Sequence, residues 1–216
     1  MVPPFGEELM EPRGYFERVQ QFAYLLAELE ITDQGGRPIA VEQGFSQACA
    51  SLASCDERKG TVFVIGSGGS AALACHAVTD LVNACHLRAF TLSDPALLTC
   101  MSNDYGYDQS YATMLGNYGQ AGDLLLAISS SGGSPAIHHA VNRMRSLSGT
   151  TITLSGFSPD NGLRRLGDLN FWLPCRQFGP VEIGHGFLLH EMTDRVCAAR
   201  GLQVAGPLAL RQKEPR

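Results

Sequence analysis

The sequence predicts an α/β protein: a doubly wound, five-stranded parallel sheet flanked by helices, carrying an N-terminal helical extension. Three observations predict it. Apolar runs of strand length at residues 61–65, 88–92, 124–128, 150–154 and 169–173 are separated by helical segments, and that alternation implies a parallel sheet covered on both faces. The run Leu124-Leu-Leu-Ala-Ile128 is apolar without a break, as a strand buried on both faces requires. Two of the runs end in small-residue turns, Gly66-Ser-Gly-Gly-Ser70 and Ser129-Ser-Ser-Gly-Gly-Ser134. Doubly wound sheets bind their ligands at such carboxyl ends of strands.

Residues 1–12 hold three prolines and little periodicity, so a loose arm is expected. Between 15 and 29, Tyr15, Phe16, Val19, Phe22, Ala23, Leu26 and Leu29 follow helical spacing. The stretch Thr32-Asp-Gln-Gly-Gly-Arg-Pro38 reads as a turn, residues 40–54 as a second helix, and Asp56-Glu-Arg-Lys-Gly60 as a charged turn before the main sheet. Strand 61–65 and the Gly/Ser turn lead to a helix over 71–85. Strand 88–92 is followed by Ser93-Asp94-Pro95, which opens the next helical stretch, and a further helix lies within 103–118. After strand 124–128, Ser134 is placed as N-cap and Pro135 as first residue of a helix over 135–147. Strand 150–154, a loop with a short helix, strand 169–173 and a last helix over 182–199 complete the series. The expected organisation is an extension at 1–57 that contacts other subunits, a ligand-binding domain at 58–205 and a frayed tail at 206–216.

Of the 216 residues, 44% are hydrophobic and 17% charged, a globular balance with no long disordered tract. A formal charge of −5 argues against a nucleic-acid surface. No apolar run reaches membrane-spanning length and the first residues are acidic, so neither a membrane partner nor a secretory signal is expected. Seven cysteines, scattered without a CxxC pair, read as reduced thiols of a cytoplasmic protein.

The serine loop has the makings of an anion site. Backbone N–H groups and the helix dipole favour negative charge there, and hydroxyls add neutral donors; a tight βα turn rich in serine is the plainer reading. The turn at 66–70 lacks the third glycine of a dinucleotide fingerprint, and no acid ends the next strand. It is instead a loop that lets a small ligand approach the backbone. His76 and Asp80, four apart, share a helix face, as two ligands of one metal, an acid/base pair, or a histidine bonded to its neighbour. Glu182, His185 and His190 add three possible ligands. Two helical turns, about 12 Å, separate Glu182 from His190. Both reach one ion only if it lies midway or if Gly184 and Gly186 make the helix start irregular.

Gly66-Ser-Gly-Gly-Ser70, Asn103-Asp-Tyr-Gly, Ile128-Ser-Ser-Ser-Gly-Gly-Ser134 and the pair Glu182 and His190 together resemble the sugar isomerase (SIS) domain family. The likeness covers residues 61–195. Within the family, the histidine ten residues after Gly66 and the acid four residues later resemble the phosphoheptose isomerase branch. The resemblance implies that Ser70, Ser129, Ser130, Ser131 and Ser134, with Gly68 and Gly69, hold a sugar phosphate. It places His76, Asp80, Glu182 and His190 as zinc ligands, Asp80 and His190 also as the acid/base pair, and Asp94, Asn103, Asp104 and Glu182 at the sugar. The implied activity converts sedoheptulose 7-phosphate to D-glycero-D-manno-heptose 7-phosphate through an enediol(ate), for nucleotide-activated heptose. The implied partners are the phosphosugar and further copies of the chain, as a tetramer or dimer, with no direct nucleic-acid contact.

Several positions depart from the family pattern. Asp80 and Glu182 stand where glutamate and glutamine are usual, Ala84 replaces an arginine, and Gly179 falls near an expected aspartate. One methylene less at residue 80 is expected to draw the carboxylate back by roughly 1.5 Å. These departures keep a second expectation open, a non-catalytic SIS adaptor or phosphosugar sensor, of the kind that binds a replication initiator.

Overall fold

The expected five parallel strands form the centre of the sheet in the computed structural model, which describes residues 14–202. They are β3 (Val62–Ile65), β4 (Ala89–Thr91), β5 (Leu124–Ser129), β6 (Thr150–Ser155) and β7 (Leu169–Trp172). Two further strands, β1 (Glu30–Asp33) and β2 (Pro38–Ile39), extend the sheet into the order β2-β1-β7-β6-β5-β3-β4. The helices are α1 (Tyr15–Ala27), α2 (Val41–Glu57), α3 (Gly69–Asn83), α4 (Pro95–Tyr105), α5 (Tyr107–Tyr118), α6 (Pro135–Ser146) and α7 (Phe178–Ala199), with a 3₁₀ turn at Gly162–Arg165. The arm at 1–12 and the tail at 206–216 lie outside the described residues.

Chain order explains where a ligand fits. From β3 the chain crosses to β4 on one side and then returns to lay β5 on the other side of β3. The winding reverses between β3 and β5, and a crevice opens at such a reversal outside the carboxyl ends. The two Gly/Ser turns are the segments that leave β3 and β5 at that point.

Both strands are buried along their whole length, and their side chains alternate between the two covered faces of the sheet. Val62, Val64, Leu124 and Leu126 pack with Leu52 of α2, Leu81 of α3 and Leu189 of α7. Phe63, Ile65, Leu125 and Ala127 pack with Met114 of α5 and Ile137 of α6.

The N-terminal extension is not a simple helical pair. Its residues 32–38, read as a turn, belong to a hairpin over 30–39 whose β1 runs antiparallel to β7, with Ile31 opposite Phe171. The turn is tied by Asp33, whose carboxylate accepts from the Arg37 backbone N–H at 3.0 Å and from its Nε at 2.7 Å. Residues 95–118 divide into two helices at Gly106, whose φ of +82° ends α4 and admits α5. The last helix begins at Phe178, ahead of the expected 182, and takes Gly179 and Pro180 into its first turn. A first turn has no intrahelical acceptor for its N–H groups, so proline costs it nothing there. The helix is therefore regular through Gly184 and Gly186, and the irregular start that would have gathered Glu182 and His190 is absent.

Candidate active site

Both turns at the crevice are backbone-determined. Gly68 is the N-cap of α3 with φ +59°, a left-handed conformation that a side chain resists. The serine loop turns at Gly132, φ +64°, where a Cβ would strike the Asn161 side chain. Ser129 and Ser130 are buried, and Ser130 Oγ lies 3.4 Å from Ser70 Oγ, joining the two turns. Ser131 Oγ accepts from the Gly133 N–H at 3.2 Å. Ser134 is the N-cap of α6 with Pro135 behind it, yet its side chain makes no capping bond, which leaves the hydroxyl free for a ligand.

Asn161, in the loop after β6, packs its side chain against Gly132, and sequence reasoning did not single it out. Its Nδ2 donates to the Gly156 and Ser158 carbonyls at 3.1 and 2.8 Å, while Oδ1 accepts from the Arg164 N–H at 3.1 Å. The one hint was the dipeptide Asn161-Gly162, a turn signal. Two tyrosines brace the other turn. Tyr111 donates to the Gly66 carbonyl at 2.7 Å, and the Tyr107 hydroxyl lies 2.8 Å from Ser67 Oγ.

Helices α3 and α7 lie side by side and run the same way: Gly69 meets Glu182, Leu73 meets Gly186, and His76 meets His190. That offset brings three predicted residues together. His76 Nε2 is 3.1 Å from His190 Nε2 and 3.4 Å from Asp80 Oδ2, and His190 Nδ1 is 3.3 Å from the same Asp80 oxygen. The two rings meet edge to face at 4.9 Å. Half or more of each histidine side chain is exposed, so the group opens to solvent. All three donors lie within 4.8 Å of one another.

These residues fit a zinc ion. Two ligands each about 2.0 Å from a common tetrahedral centre stand roughly 3.3 Å apart; His76 Nε2 and Asp80 Oδ2 meet that spacing at 3.4 Å, whereas His190 approaches His76 through Nε2 and Asp80 through Nδ1, so its ring must turn to offer one nitrogen to the ion. Two imidazoles and a carboxylate also match the three-ligand sets of catalytic zinc, which leave a position open.

Glu182 is not in this group. It lies at the other end of the helix pair, where a Cβ on Gly69 would come within 2.5 Å of its Oε1. The regular helix keeps it two turns from His190, so the expected fourth ligand is not gathered with the other three. The carboxylate instead faces the amino end of α3, where the helix dipole favours a negative group. His185, the other candidate ligand, is fully buried and donates to the Ser155 carbonyl.

The remaining predicted residues lie on α4. Asp94 is its N-cap, accepting the Leu97 N–H at 2.9 Å. It also edges a cavity of about 320 Å³ along β4 with Phe63, Phe90 and Tyr118. That cavity shares no other residue with the serine loop or the His/Asp/His group. Asn103 and Asp104 are exposed and bond within α4, Asn103 Nδ2 to Asp104 Oδ1 at 2.9 Å and Cys100 Sγ to Asp104 Oδ2 at 3.6 Å. Within one chain they do not bond to the serine loop.

Comparison with known proteins gives this geometry a context. The model of the SIS domain matches residues 40–156. The phosphoheptose isomerase of Thiobacillus denitrificans is 34% identical over 164 residues, 72% of this chain and 81% of that protein. That of Pelobacter propionicus is 35% identical over 147 residues, 64% and 77% of the two chains. Among solved structures, phosphoheptose isomerase from Neisseria gonorrhoeae superposes with a TM-score of 0.74 at 27% identity, over 85% of this chain and 95% of that one.

Proposed function

From the premise that this chain belongs to the SIS domain family, we propose that it is a phosphosugar isomerase interconverting sedoheptulose 7-phosphate and D-glycero-D-manno-heptose 7-phosphate. The observation that carries the reading is the meeting of His76 and Asp80 with His190, 114 residues further along the chain. A sensor or adaptor needs the anion loop but has no use for an acid held between two imidazoles.

Moving a carbonyl between adjacent carbons requires one group to carry a proton from carbon to carbon and another to exchange the oxygen-bound proton. Asp80 and His190, 3.3 Å apart, divide these tasks. The hydroxyls of Ser70, Ser129, Ser130, Ser131 and Ser134 hold the phosphate, and Gly68 and Gly69 let it approach the backbone. Six residues of helix separate Ser70 from His76, about 9 Å along the axis. An extended seven-carbon chain with its phosphoester spans on the order of 10 Å, so a phosphate at the loop sets the first two carbons near the acid/base pair. Anchoring the far end in this way supplies position without touching the reacting atoms. His76, Asp80 and His190 would hold zinc, which when bound stabilises negative charge developing on the substrate oxygens. Asp94, Asn103, Asp104 and Glu182 are assigned to the sugar hydroxyls.

We further infer a homo-oligomer, as a tetramer or dimer, with residues 58–205 as the sugar-phosphate unit and the preceding segment as contact surface. Tyr15 and Phe16 of α1 are 75% and 80% exposed, and Ile183 and Phe187 of α7 are exposed beside them. The groove between the two helices is lined by Tyr15, Val19, Phe22, Pro180 and Ile183, an apolar strip that a partner would cover. Seven free thiols support a cytoplasmic setting, and no described helix is long and apolar enough to cross a membrane. The test is direct: the purified chain with zinc is given sedoheptulose 7-phosphate and the aldose is followed by NMR. No aldose from protein with zinc bound at one per chain refutes the activity.

A further inference from the structure

His185 belongs to neither half of the proposed site, yet it stands between them. It lies on the sheet-facing side of α7, fully buried, three residues after Glu182 and five before His190. Its Nε2 is 3.1 Å from the Ser155 carbonyl oxygen. A carbonyl can only accept, so Nε2 bears the proton and Nδ1 is a bare lone pair. That Nδ1 is buried and finds no partner among the described residues. Burial pushes the imidazole down to about 4, so the ring is neutral at physiological pH. For packing alone a leucine would serve better, because it leaves no desolvated nitrogen without a partner. A residue retained in spite of that points to its one hydrogen bond.

That bond lands where the serine loop is held. Ser155 is the last residue of β6, in register with Ser129 of β5. The next residue, Gly156, donates its N–H to the Ser130 carbonyl at 3.0 Å. A Cβ on Gly156 would meet Val181 of α7 at 2.8 Å, so the strand end and the helix touch. Asn161 holds the same two residues, through Ser155 Oγ at 3.3 Å and the Gly156 carbonyl. The run from α7 through Ser155 and Gly156 to Ser130 is continuous; Val181 touches it by packing, and among the described residues the His185 imidazole supplies its side-chain hydrogen bond from the helix.

We propose that His185 is a positioning residue that locks α7 to the backbone behind the serine loop, fixing the distance between the phosphate-holding hydroxyls and the His76–Asp80–His190 group. This rests on the isomerase reading for its effect on rate, but its effect on the backbone does not. His185→Leu removes the bond and keeps the bulk. His185→Gln keeps an N–H of similar reach. In the full chain, the leucine variant is expected to bind zinc and inorganic phosphate within about 3-fold of the parent, while kcat falls about 10- to 100-fold, the loss expected of reacting groups misplaced by about 1 Å. The Gly156 amide should exchange its hydrogen about 10-fold faster in the leucine variant. The glutamine variant should recover both readouts to within about 3-fold. Should the leucine variant not fold, His185→Asn, polar but too short to reach Ser155, takes its place with the same expectations. Parental kcat and parental Gly156 exchange without the bond overturn the proposal, as does a glutamine variant no better than leucine. If the parent itself does not turn over sedoheptulose 7-phosphate, the substrate assignment falls. Selective loosening of Gly156 in the leucine variant alone then still supports the positioning role.

Discussion

Acid should unfold this protein partly through one side chain. The His185 imidazole has its pKa lowered to about 4 by burial, against an ordinary value of 6.5. Between those values the unfolded chain binds a proton that the native chain refuses, so stability falls as pH drops through 6.5 and stops falling from this source near 4. The gap of about 2.5 units corresponds to about 3 kcal/mol at most, or about 1.4 kcal/mol for each pH unit inside the window. Above pH 7 the group contributes no slope. The perturbation is His185→Gln, which has nothing to titrate. Urea unfolding of both proteins is followed from pH 7.5 to 4.5 with chelator present, at one protein concentration, by the fluorescence of the single tryptophan, Trp172, which is buried under the Arg164 guanidinium. Every other group is common to both chains, so its contribution cancels in the difference. The parent is expected to lose about 2–3 kcal/mol relative to the variant between pH 7 and 4.5. Two curves that stay parallel over that range would show that the imidazole is not buried neutral, and the burial argument would fail.

Other outcomes follow from the same geometry. Asp80→Asn should weaken zinc binding, read by metal analysis after dialysis, and lower kcat by about 100-fold or more, since it removes both a charged ligand and a proton acceptor. Gly132→Ala forces a side chain into φ +64° and against Asn161. It should cost about 2 kcal/mol or more in urea unfolding and abolish phosphate binding by calorimetry. Among the seven thiols, the exposed Cys75 and Cys100 should react with a thiol reagent in the native protein. Cys85, pushed up to about 12 by burial and by its neighbour Cys197 at 3.3 Å, should react only in denaturant. Early labelling of Cys85 would contradict the packing of α3 on α7.

The parallel strands were legible because each is an apolar run too short for a helix and bounded by small or charged turns. The hairpin was not, and the reason is local. Glu30-Ile-Thr-Asp33 is four residues long and only Ile31 and Thr32 are buried, so it offers too little alternation to outweigh Gly35, Gly36 and Pro38. Those glycines were read as a turn between two helices when they turn a hairpin, with the Gly36 N–H on the Asp33 carbonyl at 2.9 Å. At the site, the loops were legible as chemistry and His76 with Asp80 as a pair on one face. That His190 completes the group came from family likeness, since no local rule reveals how α7 is offset along α3. The same offset decides Glu182 against the expectation. Residues 69, 73 and 76 pair with 182, 186 and 190, so a residue eight before His190 falls beside the start of α3.

The shorter acid at position 80 illustrates why a departure read in isolation misleads. Aspartate in place of glutamate is expected to withdraw the carboxylate by roughly 1.5 Å, yet one Asp80 oxygen lies 3.4 Å from His76 and 3.3 Å from His190. Across the helix pair Gly186 faces Leu73, where an added Cβ would sit in ordinary contact at 3.4 Å. His190 lies about one turn further along the same side of α7 and meets His76 and Asp80 there. A side chain is short or long only relative to the distance between the backbones that bear it. At the distance found here the aspartate reaches both imidazoles.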